Sequence, residues 1–228
     1  MITSQNLFPP TNYNNLLQIL THIRYSEKVF IMKRLLLILI LTFSFQTWTK
    51  ADDIRDFQIE GVSLGDSALD FATKSEIISL KNSYKDKGYI YNSKKFYSIT
   101  FRNHPNLNIY ENIQFILKDN DKKYKIYGIV GVIEYIKNID QCYEDLDIIE
   151  TDLDKIFTNT DKNPRSRRVA SGDETGKSTI ESVAYFIQND VVVASCADWF
   201  EKTNIADALR VSINSENYNL FLRNEAYK

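Results

Sequence analysis

The stretch from Gly172 to Thr179, GDETGKST, contains the residue types of a phosphate-binding loop. Such a loop has the pattern G-x-x-x-x-G-K-[ST] and joins a strand to a helix, so that backbone N–H groups surround the phosphate. Here only three residues separate Gly172 from Gly176, two of them are acidic, and the stretch precedes a predicted strand. We therefore interpret it as a turn or loop and predict that the protein binds no nucleotide.

A second candidate is the densest basic cluster, which comprises Lys162, Arg165, Arg167 and Arg168. Such side chains bind carboxylates, phosphates and lipid headgroups through charge-assisted hydrogen bonds. The surrounding sequence predicts a polar loop from about 158 to 177, and a loop of that length indicates function or disorder. The cluster is thus a candidate site for an anionic partner. The alternative is a solvated loop whose arginines need no partner.

The chain offers few residues for catalysis. His104 is the single histidine after residue 51, so a Ser–His–Asp arrangement could use only this residue, and a metal site with several imidazoles is excluded. Asp198 and Glu201 flank Trp199, as acids accompany a sugar-binding aromatic in a glycosidase. Trp199 also continues an apolar strand pattern, which is typical of a core aromatic. We predict no catalytic residue, no metal and no cofactor.

Cys142 and Cys196 are the only two cysteines. An even number of cysteines in an oxidising compartment is typical of a disulfide. The bond would close a loop of 54 residues, and the chain-entropy model then gives a stabilisation of roughly 4 kcal/mol. The alternative is a pair of buried free thiols, because cysteine is among the most buried residue types. We predict the disulfide.

The compartment follows from an apolar segment near the N-terminus. Lys33 and Arg34 precede a continuous apolar run, 35–41, which residues 42–45 extend. The run reaches about eleven residues, whereas a membrane-spanning helix needs roughly 20. Small residues in Thr49-Lys50-Ala51 stand at the positions that signal peptidase requires. This pattern predicts a cleaved export signal.

Three segments of the chain follow from this interpretation. We predict that residues 1–31 are mis-assigned upstream translation, that 32–51 form the cleavable signal peptide, and that 52–228 form one globular domain. The protein would then be periplasmic or secreted, with no stable membrane span after cleavage. The alternative is a membrane-tethered protein with an uncleaved signal anchor. The part after Ala51 has 23 basic and 29 acidic side chains, which gives no general attraction for nucleic acid.

Hydrophobic periodicity predicts the elements that position these residues. The predicted strands are 96–102, 110–118, 124–135, 179–187, 191–199 and a last one around 209–213; the helices include a long one at 140–157 and a terminal one capped by Ser215. The order predicts an α+β domain with a mostly antiparallel sheet of about six strands, three before the long helix and three after it, with helices packed on the sheet. The buried stripe of the long helix contains Cys142, which places this helix on the sheet that contains Cys196.

Several segments, IEGVSLGDSALDF, SKKFYSITF, CYEDLD, GKST, SCADWFEK, LRVSI and NEAYK, carry a resemblance to a known group. The chain from Met32 onwards resembles a family of small exported hypothetical proteins of marine alphaproteobacteria. The resemblance implies export and paired cysteines, and it brings no activity, cofactor or catalytic residue.

The sequence therefore favours an exported, periplasmic, non-enzymatic binding or accessory protein. Its partner would be an envelope protein, a glycan or a lipid headgroup, bound by the basic cluster or by the sheet face opposite the long helix. Two alternatives are a cell-envelope hydrolase that uses Asp198, Glu201 or His104, and a structural envelope component that self-associates through a sheet edge.

Overall fold

The fold was obtained as a computed structural model, which describes residues 54–83, 91, 93–136, 138–171 and 173–226. The predicted signal peptide, its cleavage site and the predicted upstream segment lie outside these residues. So does Gly172 of the glycine-containing stretch.

The described residues form α-helices and β-strands in an order close to the predicted one. In chain order they are α1 (Lys74–Ser83), β1 (Phe96–Arg102), β2 (Asn112–Lys118), β3 (Ile126–Tyr135), α2 (Ile139–Ile156), β4 (Asp161–Val169), β5 (Thr179–Ile187), β6 (Asp190–Asp198), β7 (Asp207–Asn214) and α3 (Glu216–Asn224). Short 3-10 turns occupy Ile54–Asp56, Ala68–Asp70 and Glu201–Thr203.

All seven strands join one antiparallel sheet in the order β1-β2-β3-β7-β6-β5-β4. The predicted α+β class is confirmed, with seven strands in place of about six. The additional strand is β4, so the prediction of one polar loop across 158–177 is wrong. Strand β4 lies at the edge and pairs only with β5, and its register shifts between Asn163 and Ser166, around Pro164. Proline is tolerated in an edge strand at such an irregularity because no ladder hydrogen bond is lost there.

One face of the sheet packs against α2, and we call it the closed face. The apolar stripe of α2 is buried there and consists of Cys142, Leu146, Ile149 and Leu153. These residues recur at steps of four and three, which is the spacing of one helix face. They meet alternate strand residues such as Phe115, Ile129 and Leu209, each fully buried. The closed face therefore contains the main hydrophobic core.

A disulfide links α2 to the sheet. Cys142 lies on the buried stripe of α2 and Cys196 lies on β6, both are fully buried, and their Cα atoms are 6.0 Å apart. The predicted pairing is confirmed. Because α2 precedes β4 to β6 in the chain, the bond closes the loop that contains the basic cluster.

The opposite face, which we call the open face, is covered at one end by α3. Tyr218 and Phe221 of α3 pack there on Phe96 and Ile116. Helix α3 begins after Ser215, as predicted, but the Ser215 hydroxyl donates to the Tyr127 carbonyl instead of capping the helix. The Asp190 carboxylate accepts the first N–H group of the helix, that of Glu216.

Candidate functional site

The basic cluster is divided between the two sides of β4. Directly opposite residues of paired strands share a face. Arg167 lies opposite Glu181, and Lys162 lies opposite the buried Tyr185, so both belong to the side on which α2 packs. Arg168 lies opposite Ile180 and therefore points to the open face. Four neighbouring cations in the sequence are thus not one site in the structure.

Three cations of the cluster form ion pairs with acids of α2 and β5. Lys162 Nζ lies 2.8 Å from Glu150 Oε1 and 2.7 Å from Asp154 Oδ1. Arg165 Nε lies 2.8 Å from Glu150 Oε2, and its guanidinium also pairs with Asp147. Arg167 Nη2 lies 2.6 Å from Glu181 Oε2. The acidic side of α2 therefore holds the edge strand in place through these charges.

These contacts shift the pKa values of the pairing groups. Hydrogen bonds from Lys162 and then from Tyr185 lower the pKa of the Asp154 carboxyl. Desolvation acts to lower the pKa of Lys162, but hydrogen bonds to Asp154 and Glu150 outweigh it and raise that pKa. Asp154 and Lys162 therefore each stabilise the charged form of the other.

Two rows of side chains cross the open face beside α3. Strand register brings together Thr100, Gln114, Val130, Ser212, Val193 and Ala184 in one row, and Arg102, Asn112, Val132, Arg210, Ser195, Ser182 and Ser166 in the next. All members of the first row are half-buried. Apart from the arginines, the rows hold short or neutral side chains. The surface therefore combines hydroxyl and amide groups with the valines and the alanine of the two rows.

Arg210 stands near the middle of the second row, between Val132 and Ser195 on the adjoining strands. It is exposed, and within the part of the chain that the structure describes it forms no ion pair. Desolvation against the sheet lowers the pKa of its guanidinium from the usual range. By contrast, Arg102 at one end of the row lies 3.6 Å from Glu134. Arg210 thus presents an uncompensated charge to the open face.

The residues considered for catalysis are His104, Asp198 and Glu201, and the structure gives them different surroundings. The ring of His104 stacks on Phe71 with centroids 4.7 Å apart, and its Nε2 lies 3.4 Å from Glu76. Glu201 is exposed on a 3-10 turn. Burial and then the charge of Asp207 raise the pKa of Asp198, a half-buried carboxyl. The Asp207 carboxylate in turn accepts a hydrogen bond from the backbone N–H of Trp199 at 2.7 Å, which fixes the end of β6.

The glycine-containing stretch connects β4 to β5, so the interpretation as a turn is confirmed. Its carboxylate at Asp173 accepts hydrogen bonds from the Ser178 hydroxyl at 2.7 Å and the Ser178 N–H at 2.9 Å, and also from Thr175. These bonds lower the pKa of Asp173 far below its usual range, the hydroxyl of Ser178 first. An internal carboxylate thus occupies the donors that a phosphate-binding loop offers to its ligand.

Comparisons with protein-family models, curated proteins and solved structures found no match to the chain. The resemblance to small exported proteins therefore stays a prediction. Among the described residues, no group of histidine, cysteine and carboxylate side chains has the geometry of a metal site. A helix with the length and hydropathy of a membrane span is likewise missing from the described ranges.

Sequence reasoning named the face opposite the long helix but did not single out Arg210. The segment LRVSIN alternates apolar and polar residues, so Arg210 looks like any solvent-facing residue of a half-buried strand. The available signal was the combination of Thr100, Ser182, Ser195 and Arg210 at the outward positions of four strands. Only the strand order brings these positions into neighbouring rows.

Proposed function

We propose that the chain is an exported, non-enzymatic binding protein that holds an acidic segment of a partner protein on its open face. The observation that carries the proposal is Arg210, a cation without an ion pair to any described residue, in the middle of a sheet face of uncharged polar and small aliphatic side chains. A guanidinium group binds a carboxylate through two parallel hydrogen bonds, which gives both affinity and orientation.

The neighbours of Arg210 favour a polypeptide partner. Ser195 and Ser182 lie beside it in the same row and offer hydroxyl groups to a backbone or to polar side chains. Their small size lets a partner segment approach the sheet closely. Because the exported part of the chain is acidic overall, attraction of a carboxylate would be local to this face.

The open face is less suited to a lipid surface. Recognition of anionic lipids uses clusters of four to eight basic residues. Of the basic cluster, only Arg168 points to the open face, and Arg102 is balanced by Glu134. The ion pairs of Lys162, Arg165 and Arg167 also leave the cluster poorly suited to an external anion. An acidic protein segment needs only one or two such cations.

Export is supported by two independent features. One is the short apolar segment with its peptidase site, and the other is the buried disulfide between Cys142 and Cys196. Disulfides persist in oxidising compartments and are rare in the cytosol. We propose a periplasmic or secreted location on these grounds. Cleavage after Ala51 would leave the described fold without its apolar signal.

The test compares Arg210→Gln with Arg223→Gln, which removes the same charge from an exposed position on α3. The probes are a fluorescent glutamate-rich peptide, anionic phosphatidylglycerol vesicles and heparin, titrated at low and physiological salt. The protein is purified from exporting cells, and intact mass should place its N-terminus at Asp52. A peptide from residues 1–31 in that protein would contradict the proposed processing.

The expected result is binding of the peptide by the wild type and by Arg223→Gln with similar Kd. Arg210→Gln should weaken binding about tenfold, because a hydrogen bond to a charged group contributes about 1.5–3 kcal/mol. Equal loss in both variants would show a general charge effect and contradict the site. Binding of vesicles or heparin without binding of the peptide would contradict the class of partner.

A further inference from the structure

The outer side of α2 combines negative charge with an exposed aliphatic side chain. The buried stripe of α2 lies against the closed face, so the opposite side of the helix faces solvent. Asp140, Glu144 and Ile148 follow each other there at steps of four, which places them on one stripe. All three are exposed, Ile148 to 39%. Asp140 forms no ion pair with the residues that the structure describes.

The open face has the dimensions of a surface that receives a helix. The row of Arg210 lies between the row that contains Val130 and Val193 and a third row, in which Ala208 lies opposite Ala197. These three rows extend about 13 Å along the strands, and a helix with its side chains is about 10–12 Å wide. Across the sheet, seven strands extend about 29 Å, and the 18 residues of α2 extend about 27 Å.

Helix α3 already crosses the strands on this face. It begins beside Asp190 at the start of β6, and its Phe221 packs on Phe96 of β1, beyond β7, β3 and β2. The rows near Arg210 lie beside α3 and run in the same direction across the strands. A second helix over these rows would therefore run alongside α3.

The spacing of the side chains on the two surfaces also agrees. On α2, Glu144 and Ile148 are one turn apart, which is about 6 Å along the helix axis. On the sheet, Arg210 lies opposite Ser195, so Val193 is its diagonal neighbour. Diagonal neighbours are about 7–8 Å apart. A helix whose carboxylate meets Arg210 would therefore place the exposed isoleucine over the valines of the neighbouring row.

We propose that the acidic segment bound by the open face is the outer side of α2 in a second copy of this chain. Asp140 and Glu144 would pair with Arg210, and Ile148 would cover Val193. This inference rests on the proposed function and names its partner. The open face and the outer side of α2 lie on opposite sides of the sheet, so two copies cannot form both contacts with each other. The contact is therefore heterologous and continues from copy to copy.

The test is sedimentation velocity of the purified protein across a wide range of concentration, at low and high salt. The wild type should form complexes of more than two chains at low salt, and high salt should dissociate them because exposed charges are screened. Arg210→Glu should weaken association at least tenfold. The double change Asp140→Lys and Glu144→Lys should have the same effect. The neutral changes Arg210→Gln, and Asp140→Asn with Glu144→Gln, keep the size of the side chains and should also weaken association at least tenfold.

Matched controls change the charge elsewhere. Lys122→Glu reverses an exposed cation in the turn between β2 and β3, as Arg210→Glu does on the open face. Asp70→Lys with Glu174→Lys reverses two exposed acids that lie outside α2. Both controls should change the association constant less than twofold. Equal effects of the controls and of the surface variants would show a general charge effect and overturn the proposal.

A mixture of the two reversed variants tests the direction of the contact. Arg210→Glu keeps an intact α2, and the double lysine variant keeps an intact open face. An equimolar mixture should form complexes of two chains and no larger ones, because one contact remains and both outer ends are blocked. Formation of this complex also shows that both variants are folded. A mixture that stays monomeric while circular dichroism shows two folded variants would overturn the proposal.

The glutamate-rich peptide separates this inference from the proposed function. The peptide should dissociate the wild-type complexes, because it competes for Arg210. A wild type that binds the peptide through Arg210 but stays monomeric at every concentration would overturn the self-association alone. A wild type that associates equally well with and without saturating peptide would overturn the placement of α2 on the open face.

Discussion

The closed and open faces of the sheet are built from the same strands but differ in how their cations are compensated. On the side of α2, Arg165 is joined to Asp147 and Glu150, and its side chain is only 23% exposed. On the open face, Arg168 and Arg210 form no ion pair with the described residues. A partly buried charge costs free energy unless it is paired. The paired cations therefore belong to the fold, and the unpaired ones are available to a partner.

Strand β4 contains this contrast within consecutive residues. Arg167 and Arg168 are adjacent in the chain, yet alternation directs one to Glu181 and the other to the open face. A cluster of like charges in a sequence therefore does not define a surface. The partition depends on whether the segment is a loop or a strand.

The largest expected effect concerns the bond that fixes the closed face. Reduction of Cys142–Cys196, or the double change Cys142→Ala and Cys196→Ala, should lower the free energy of unfolding by roughly 4 kcal/mol, because the unfolded chain loses a closed loop. Urea denaturation with and without dithiothreitol measures this loss. The double variant should not respond to dithiothreitol. A loss below about 1 kcal/mol on reduction would contradict the role of the disulfide.

A smaller effect should distinguish the two sides of β4. Arg165→Gln should lower the free energy of unfolding by about 1–2 kcal/mol, between the values of exposed and buried ion pairs, because Glu150 and Asp147 lose their shared partner. Arg168→Gln removes the same charge from the open-face side, and its effect should stay within about 0.5 kcal/mol. Urea denaturation of both variants measures the difference. Equal effects would contradict the division of the cluster.

Most strands, the buried stripe of α2 and the disulfide were predictable from the sequence. The predicted strands 96–102 and 179–187 have the observed bounds of β1 and β5, because both segments are rich in the β-branched and aromatic residues that are typical of strands. The helical spacing around Cys142 placed it on the buried stripe of α2. The disulfide then follows from the predicted compartment and the cysteine count.

Strand β4 could not be predicted in the same way. Its sequence, DKNPRSRRV, has no apolar alternation because almost every residue of this edge strand is exposed. Pairing with β5 and ion pairs to α2 hold it instead, and these depend on residues far away in the chain. The predicted start of β2 at Tyr110 was two residues early, because Tyr110 packs against the core as an aromatic side chain that precedes the strand. The ring of Tyr110 lies against Gly131, where an added Cβ would be 2.6 Å from it.

The smallest expected effect is a pH dependence of the free energy of unfolding, which arises from an ion pair on the closed side. Hydrogen bonds from Lys162 and Tyr185 lower the folded-state pKa of Asp154, so its contribution to stability is present above about pH 4 and is lost as the pH falls further. Asp154→Asn should therefore lower the free energy of unfolding at pH 7 by less than about 1 kcal/mol, as expected for an exposed pair, and the difference should shrink steadily as the pH falls below about 4. Asp152→Asn is the matched control, because Asp152 pairs with Lys155 on the same helix and has no link to β4. Urea denaturation across this pH range measures both variants. If the loss of stability in Asp154→Asn persisted in acid, or if Asp152→Asn lost as much, the Asp154–Lys162 ion pair would not be what joins α2 to β4. The closed side would then not differ from the open face in this respect.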